Sequence, residues 1–282
     1  MNNEIELKNL DPKPFLRWAG GKRWFIKYLK SISNLEVRNY FEPFLGGASV
    51  FFSMKSFQNA YLSDLNYELI ETYESIRDSP LEVISILKTL KNTQEEYYRI
   101  RSGRYEDKIQ RAVQFIYLNQ TSFNGIYRVN QKGEFNVPFG NRKKKDLVEE
   151  LNLISVSKKL QNVNLSCRDF EDLLPSINEG DFLFLDPPYT VAHENNGFIQ
   201  YNQKIFSLED QYRLANFLKS VIDKKANFVL TNAKHDAILE IYKDIGEPIS
   251  LTRSSTVGGT GARRGKQGFN EYIYSNCLTL KK

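Results

Sequence analysis

Tyr40-Phe41-Glu42-Pro43-Phe44-Leu45-Gly46-Gly47-Ala48-Ser49-Val50-Phe51-Phe52 decides the fold. A short apolar run enters a glycine pair, and from Ser49 onward the pattern turns helical. This is the strand–glycine loop–helix of a nucleotide-binding α/β unit, where a turn without side chains lets a ligand approach bare backbone. A second strand-like run, Ala60-Tyr61-Leu62-Ser63, ends in Asp64. An acid at the tip of the second strand is placed to hold ribose hydroxyls. Upstream, Phe15-Leu16-Arg17-Trp18-Ala19-Gly20-Gly21-Lys22 leads into Trp24, Phe25, Tyr28 and Leu29 at helical spacing, which predicts a helix opened by a glycine pair. A phosphate-loop reading fails, because Leu16 stands where the first glycine belongs and Arg23 where Ser or Thr belongs.

Working outward, the apolar run Phe182-Leu183-Phe184-Leu185 predicts a buried strand, and Asp186-Pro187-Pro188-Tyr189 follows at its C-terminal lip. Two prolines fix their own backbone angles, and Pro187 restricts Asp186 as well. The turn is stiff, projects one carboxylate, leaves carbonyl oxygens without partners and ends in a flat aromatic ring. That set suits an exocyclic amine on a planar base: oxygens accept the amino hydrogens while the ring stacks. An ordinary surface turn is the alternative.

Between these landmarks, Leu69 to about Leu118 reads as charged helices, with Ile84, Leu87, Leu90, Tyr97 and Ile100 as core positions. Val129 to Val137 alternates around Gly133 and predicts a β-hairpin, followed at once by Arg142-Lys143-Lys144-Lys145. Phe123, Asn124, Tyr127, Arg128 and Asn130 add aromatics, amides and a cation to that basic run, a mixture that reads bases and phosphates. Solvated surface and core packing are the alternatives for these residues. Further strands are predicted at Val163–Ser166, Asn227–Thr231 and Glu271–Leu280, and a helix over Leu208–Ile222. The long polar stretch 190–207 suits a lid, and the glycine-rich basic stretch 258–268 suits phosphate tracking or plain flexibility.

The totals agree. A chain of 282 residues that is 41% hydrophobic and 13% aromatic supports a sizeable core with an inserted subdomain. A net charge of +5 suits a polyanionic partner. Two cysteines and two histidines give a disulfide framework, a metal centre or a triad little to build on, so no metal is expected. No stretch is apolar enough to span a membrane, and Met1–Lys8 has no secretory core; a soluble, cytoplasmic protein is expected.

Four blocks, in order, resemble the Dam-type DNA adenine-N6 methyltransferases: Arg17–Lys22, Phe41–Gly47, Phe123–Arg128 running to Phe135–Gly140, and Asp186–Tyr189. The similarity runs from about Pro14 to the C-terminus. It implies an α/β fold, a Rossmann-like seven-stranded methyltransferase sheet with an inserted, mainly helical target-recognition subdomain carrying the hairpin. Residues 1–76 and 165–282 would form the catalytic domain and 77–164 the recognition subdomain. The resemblance also implies S-adenosylmethionine as cofactor. Trp18, Ala19, Gly20, Lys22 and Phe44 would help hold it, with Gly46 and Gly47 beneath its methionine part. Asp64 would bind its ribose, Asp169 and Phe170 would bracket its adenine, and Asp186 would border it. Asp186, Pro187 and Tyr189 would be catalytic. Arg17, Phe123, Asn124, Ile126, Arg128, Asn130, Pro138, Asn141 and Arg142 would face double-stranded DNA. Ala48 stands where related chains often have glycine. Arg17 replaces a common lysine, and Asn141 an arginine frequent in GATC-specific relatives.

The implied function is methyl transfer to the amino group of an adenine flipped from a short duplex site, with GATC the leading target. Arg128 suits a guanine edge, Asn124 an adenine and Ile126 a thymine methyl, while Phe123 suits the gap left by the flipped base. Cytosine-N4 methylation needs the same turn and is the nearest rival. A regulator that binds DNA without catalysis is the alternative from another class. Protein-glutamine methyltransferases usually carry Asn at the first position of the turn, and hydride transfer has no use for it. A cognate restriction endonuclease is the functional partner to expect if the enzyme protects DNA.

Overall fold

The computed structural model describes residues 10–32, 35–130, 132–141, 147–190, 206–254 and 268–278. Arg142, the basic run it opens, most of the stretch 190–207 and nearly all of 258–268 lie outside the described residues. The chain forms two compact units, residues 1–30 with 45–168, and residues 31–44 with 169–282. Seven strands are ordered β3-β2-β1-β4-β5-β7-β6, the mixed sheet of a Rossmann-like α/β methyltransferase fold.

In the first unit, β2 (Asn59–Asp64) runs parallel to β3 (Val163–Cys167), with Asp64 opposite Cys167. The helices are α1 (Ser49–Ser53), α2 (Tyr67–Asp78), α3 (Pro80–Thr89), α4 (Gln94–Ser102), α5 (Lys108–Thr121) and α6 (Glu150–Leu160). Their starts are written locally. Asn66, Thr93 and Asp107 each accept a backbone N–H of the first turn, and Pro80 opens α3, where no N–H partner is needed. α2 packs on α5 and α6, and the Arg111 guanidinium of α5 grips buried Glu71 of α2 through both carboxylate oxygens. That bond holds the Glu71 carboxyl below its ordinary value.

In the second unit, β1 (Asn39–Glu42), β4 (Phe182–Leu185) and β5 (Asn227–Ala233) are parallel neighbours. β1 and β4 are buried along their whole length, as the unbroken apolar run of β4 requires. β7 (Gly268–Ser275) lies antiparallel between β5 and β6 (Ile249–Ser254). α7 (Leu208–Asp223) begins with a reciprocal capping box between Ser207 and Asp210, and α8 (Asp236–Ile241) follows β5.

Three local expectations change. Arg23–Ile32 is a 3-10 helix, longer than most, with Phe25 and Tyr28 rings 5.9 Å apart at the i, i+3 spacing that this helix eclipses. The hairpin is closed by an isolated bridge between Val129 and Phe135 instead of a strand ladder. The last strand stops at Ser275, whose hydroxyl accepts the N–H groups of Cys277 and Leu278 and turns the chain before Leu280. Among the described residues no helix is long and apolar enough to cross a membrane.

Candidate active site

The glycine loop belongs to the first unit and is built from backbone. Gly46 has φ +45°, and a Cβ there would lie 2.6 Å from Cδ1 of Trp18. Glycine is therefore required twice over, by its left-handed conformation and by the indole pressed against it. At Gly47 a Cβ would still meet the Trp18 Cβ at 3.1 Å. Ala48 also adopts a left-handed conformation, with φ 52°. The Gly46 N–H donates to Asp64 Oδ2 and the Asn66 N–H to Asp64 Oδ1, both at 3.0 Å, while the Tyr73 hydroxyl donates to the Gly46 carbonyl at 3.0 Å. Desolvation raises the Asp64 carboxyl above its ordinary value, against the lowering by the N–H groups of Asn66, Gly46 and Leu65. Trp18 packs near-parallel to both Phe115 and Tyr127, at 6.4 and 5.6 Å between ring centres and tilted by 22°, in a cluster in which Phe115 and Tyr127 also meet at 5.2 Å. Ala19 and Gly20 are exposed, whereas Lys22 is buried and its ammonium donates to the Gly20 carbonyl at 2.9 Å.

The acidic turn belongs to the second unit and is held by side chains. Asp186 is half-buried, and its Oδ1 accepts the Thr231 hydroxyl of β5 at 2.8 Å. Pro187 is buried, and Tyr189 is half-buried with its hydroxyl desolvated. That burial, with the Asp186 and Glu271 carboxylates nearby, pushes the Tyr189 phenol well above its ordinary value. Thr190, the next residue, sits in a buried polar hub. Gln211 Nε2 donates to its hydroxyl at 3.0 Å, and the same amide's oxygen accepts from Asn232 Nδ2 at 2.9 Å and the Tyr242 hydroxyl at 2.7 Å. A hub of this kind leaves Thr190 little freedom, and with it the end of the turn.

In the same unit Asp169 opens a 3-10 helix (Phe170–Ser176), its carboxylate accepting the Glu171 N–H at 3.0 Å. Phe170 is buried against Phe44, Phe206 and Phe217. Asp169 remains the half-exposed member of the pair.

A model of the D12 class of N6 adenine-specific DNA methyltransferases matches residues 18–255. The chain belongs to this family. It is 33% identical to the type II methyltransferase M1.LlaDCHI of Lactococcus lactis subsp. cremoris, across 97% of this chain and 99% of that one. It is 34% identical to the type II methyltransferase M.MjaIII of Methanocaldococcus jannaschii, across 79% and 85%. It is 31% identical to the DNA adenine methylase of Escherichia coli K12, across 89% and 92%. S-adenosylmethionine is the methyl donor of this adenine methyltransferase family, and DNA is the substrate. Within the first unit the donor set fits that group: side-chain-free backbone at Gly46 beside a fixed carboxylate at Asp64.

The residues expected to meet DNA gather in the first unit of this methyltransferase. Phe123–Arg128 and Phe135–Gly140 are stitched together, with the Phe123 N–H on the Pro138 carbonyl and the Gly140 N–H on the Thr121 carbonyl, both at 2.8 Å. Phe123 is 52% exposed, and Asn124, Arg128, Pro138 and Asn141 are exposed too. Asn124 and Asn141 hold positive φ values of 57° and 45°, a conformation that asparagine tolerates better than most residues. Ile126 is half-buried. Arg128 Nε donates to Asn136 Oδ1 at 2.8 Å. The Asn130 carboxamide shapes the hairpin turn, its oxygen accepting the N–H groups of Lys132 and Glu134. Arg17 is exposed, its backbone bonded in both directions to the Asn119 side chain, and its aliphatic stem crosses Gly125, where a Cβ would lie 2.5 Å from Arg17 Cδ.

Thr231, Gln211 and Arg213 are the contributors that sequence reading missed. Thr231-Asn232, a polar pair near the end of the buried strand β5, was the available signal, since β5 pairs with β4, which Asp186 directly follows.

Proposed function

We propose that the protein methylates N6 of an adenine flipped out of a short duplex site, with Asp186 and Tyr189 receiving the base. The bond from Thr231 to Asp186 carries this reading: it fixes the carboxylate of a rigid turn before any substrate arrives. S-adenosylmethionine supplies an electrophilic methyl group on its sulfonium sulfur. In this reading Gly46 and Gly47 approach its methionine part, Asp64 takes the ribose hydroxyls and Asp169 the adenine, with Phe170 supporting from behind. Trp18, Ala19, Gly20, Lys22 and Phe44 complete the cofactor side.

The Asp186 carboxylate accepts one amino hydrogen of the target adenine and the Pro187 carbonyl the other, which turns the nitrogen lone pair toward the methyl group. Asp186 would stabilise the positive charge that develops on nitrogen as the nitrogen–methyl bond forms and the methyl–sulfur bond breaks, with S-adenosylhomocysteine leaving and the extra amino proton passing to solvent. Positioning and electrostatics supply the rate. Extruding the base costs a few kcal/mol, and stacking on Tyr189 returns about 1–3 kcal/mol.

Segment 77–164 acts as the recognition subdomain between the catalytic parts 1–76 and 165–282. Arg128 suits a guanine edge, Asn124 an adenine, Ile126 a thymine methyl and Phe123 the vacated gap, with Arg17, Asn130, Pro138, Asn141 and Arg142 along the duplex. GATC is the leading target. The names of two relatives as type II methyltransferases favour a role beside a restriction endonuclease.

The test is transfer of labelled methyl from S-adenosylmethionine to unmethylated DNA, with nucleoside analysis and mapping of the modified sites. N6-methyladenine at one short motif is expected, and its sequence fixes the target. Methylcytosine would overturn the base assignment, and DNA binding without transfer would identify a regulator.

A further inference from the structure

Arg213 lies on the second turn of α7. Its guanidinium reaches three carboxylates: Asp169 at 2.9 Å, Glu171 at 2.6 Å and Asp210 at 2.9 Å. The guanidinium carbon also lies 5.0 Å from the centre of the Phe170 ring. The contacts converge on Asp169-Phe170-Glu171, where the chain leaves β3 for the 3-10 helix. Two of the three carboxylates have a separate tie to this frame. Asp169 Oδ1 takes the Glu171 N–H, and Asp210 closes the capping box with Ser207. An arginine joined to three carboxylates at a 35% exposed position contributes little to stability by itself, because solvent screens such pairs. Its consequence is geometric: both bonds to Asp169, from Arg213 Nη2 and from the Glu171 N–H, fall on the same oxygen, Oδ1.

We propose that Arg213 is a positioning residue for the cofactor's adenine. By engaging Asp169 Oδ1 and lying over the Phe170 ring, it turns Asp169 Oδ2 toward the 6-amino group. The proposal rests on the reading that Asp169 takes the adenine, and it names the group on the ligand that is recognised. Lysine cannot replace arginine here: a compact ammonium neither bridges three carboxylates nor stacks on a ring.

Binding calorimetry tests this with two ligands, S-adenosylhomocysteine and its 6-deamino counterpart, in which hydrogen replaces the amino group. The wild-type protein should prefer the amino ligand by about tenfold, the value of one hydrogen bond to a charged acceptor. In Arg213→Lys and Arg213→Met the amino ligand should weaken about tenfold, the deamino ligand should hold its affinity, and the preference should vanish. The lysine variant keeps a cation among the carboxylates, so agreement between the two variants separates geometry from charge. Equal weakening of both ligands would make Arg213 a general structural brace and overturn the proposal. An unchanged preference in the variants would overturn it while leaving Asp169 in its role. A wild-type protein that binds both ligands alike would remove the adenine reading of Asp169, and the proposal with it.

Discussion

The glycine loop and the acidic turn are each held rigid, by opposite means. Around Gly46 the chain is held by an indole, by N–H groups on Asp64 and by the Tyr73 hydroxyl on a carbonyl. Around Asp186 it is held by side chains from elsewhere in the chain, Thr231 directly and Gln211 through Thr190. A backbone-built site resists added atoms, because there is nowhere to put them. A site built from side chains resists lost atoms, because each one orients another.

Removing the carboxylate is the largest test of that contrast. Asp186→Ala should lower kcat by about a thousandfold while S-adenosylmethionine still binds, as read by single-turnover transfer and calorimetry. Adding one methyl group to the other region comes next. Gly46→Ala should destabilise the protein by about 3 kcal/mol in urea unfolding, since left-handed strain and overlap with Trp18 add. The acidic turn should feel a single lost hydroxyl. Thr231→Val should reduce kcat by about tenfold with the KM for cofactor nearly unchanged, and Thr231→Ser should restore it. Equal losses in kcat and thermal stability would instead reduce Thr231 to a packing residue.

Protonation probes the loop more gently. With the Asp64 carboxyl raised in the folded protein, its contribution to folding is present at acid pH and is lost as pH rises through the folded value. Cofactor binding should move the other way, weakening as pH falls, and at higher pH than an ordinary aspartate would dictate. Calorimetry across the acid range, with Asp64→Asn as the control that abolishes the trend, checks it. The smallest effect belongs to Ala48→Gly. Relief of left-handed strain is worth about 1–2 kcal/mol, against about 0.8 for a buried methyl and about 0.4–1 for added chain entropy. The melting temperature should barely move. A large gain would mean that the loop is strained throughout.

The contrast also explains what the sequence made readable. Glycines beside a strand, an acid at the next strand tip and two consecutive prolines are local signals, so the loop at Gly46, the strand end at Asp64 and the turn after β4 could be placed directly. β4 was visible because it is buried along its whole length and its sequence is an unbroken apolar run. Thr231, Gln211 and Arg213 act through partners that are distant in the chain or on another element. Nothing local in Asp210-Gln211-Tyr212-Arg213 announces a polar hub on one residue and a clamp on another. The hairpin fell between these cases. Its turn chemistry at Asn130 and Gly133 was legible, but its paucity of ladder bonds was not, because pairing extent depends on the neighbours across the strand.

Trp18 offers an optical consequence. The protein has two tryptophans, and Trp24 meets Phe25 and Tyr28 edge-on. Trp18 alone lies near-parallel to its ring neighbours, Phe115 of α5 and Tyr127 of the hairpin segment, while touching Gly46. A Trp24→Phe protein therefore carries one native fluorophore at the junction of glycine loop and hairpin. Its emission would follow ligand arrival at one and rearrangement of the other in real time, without a label.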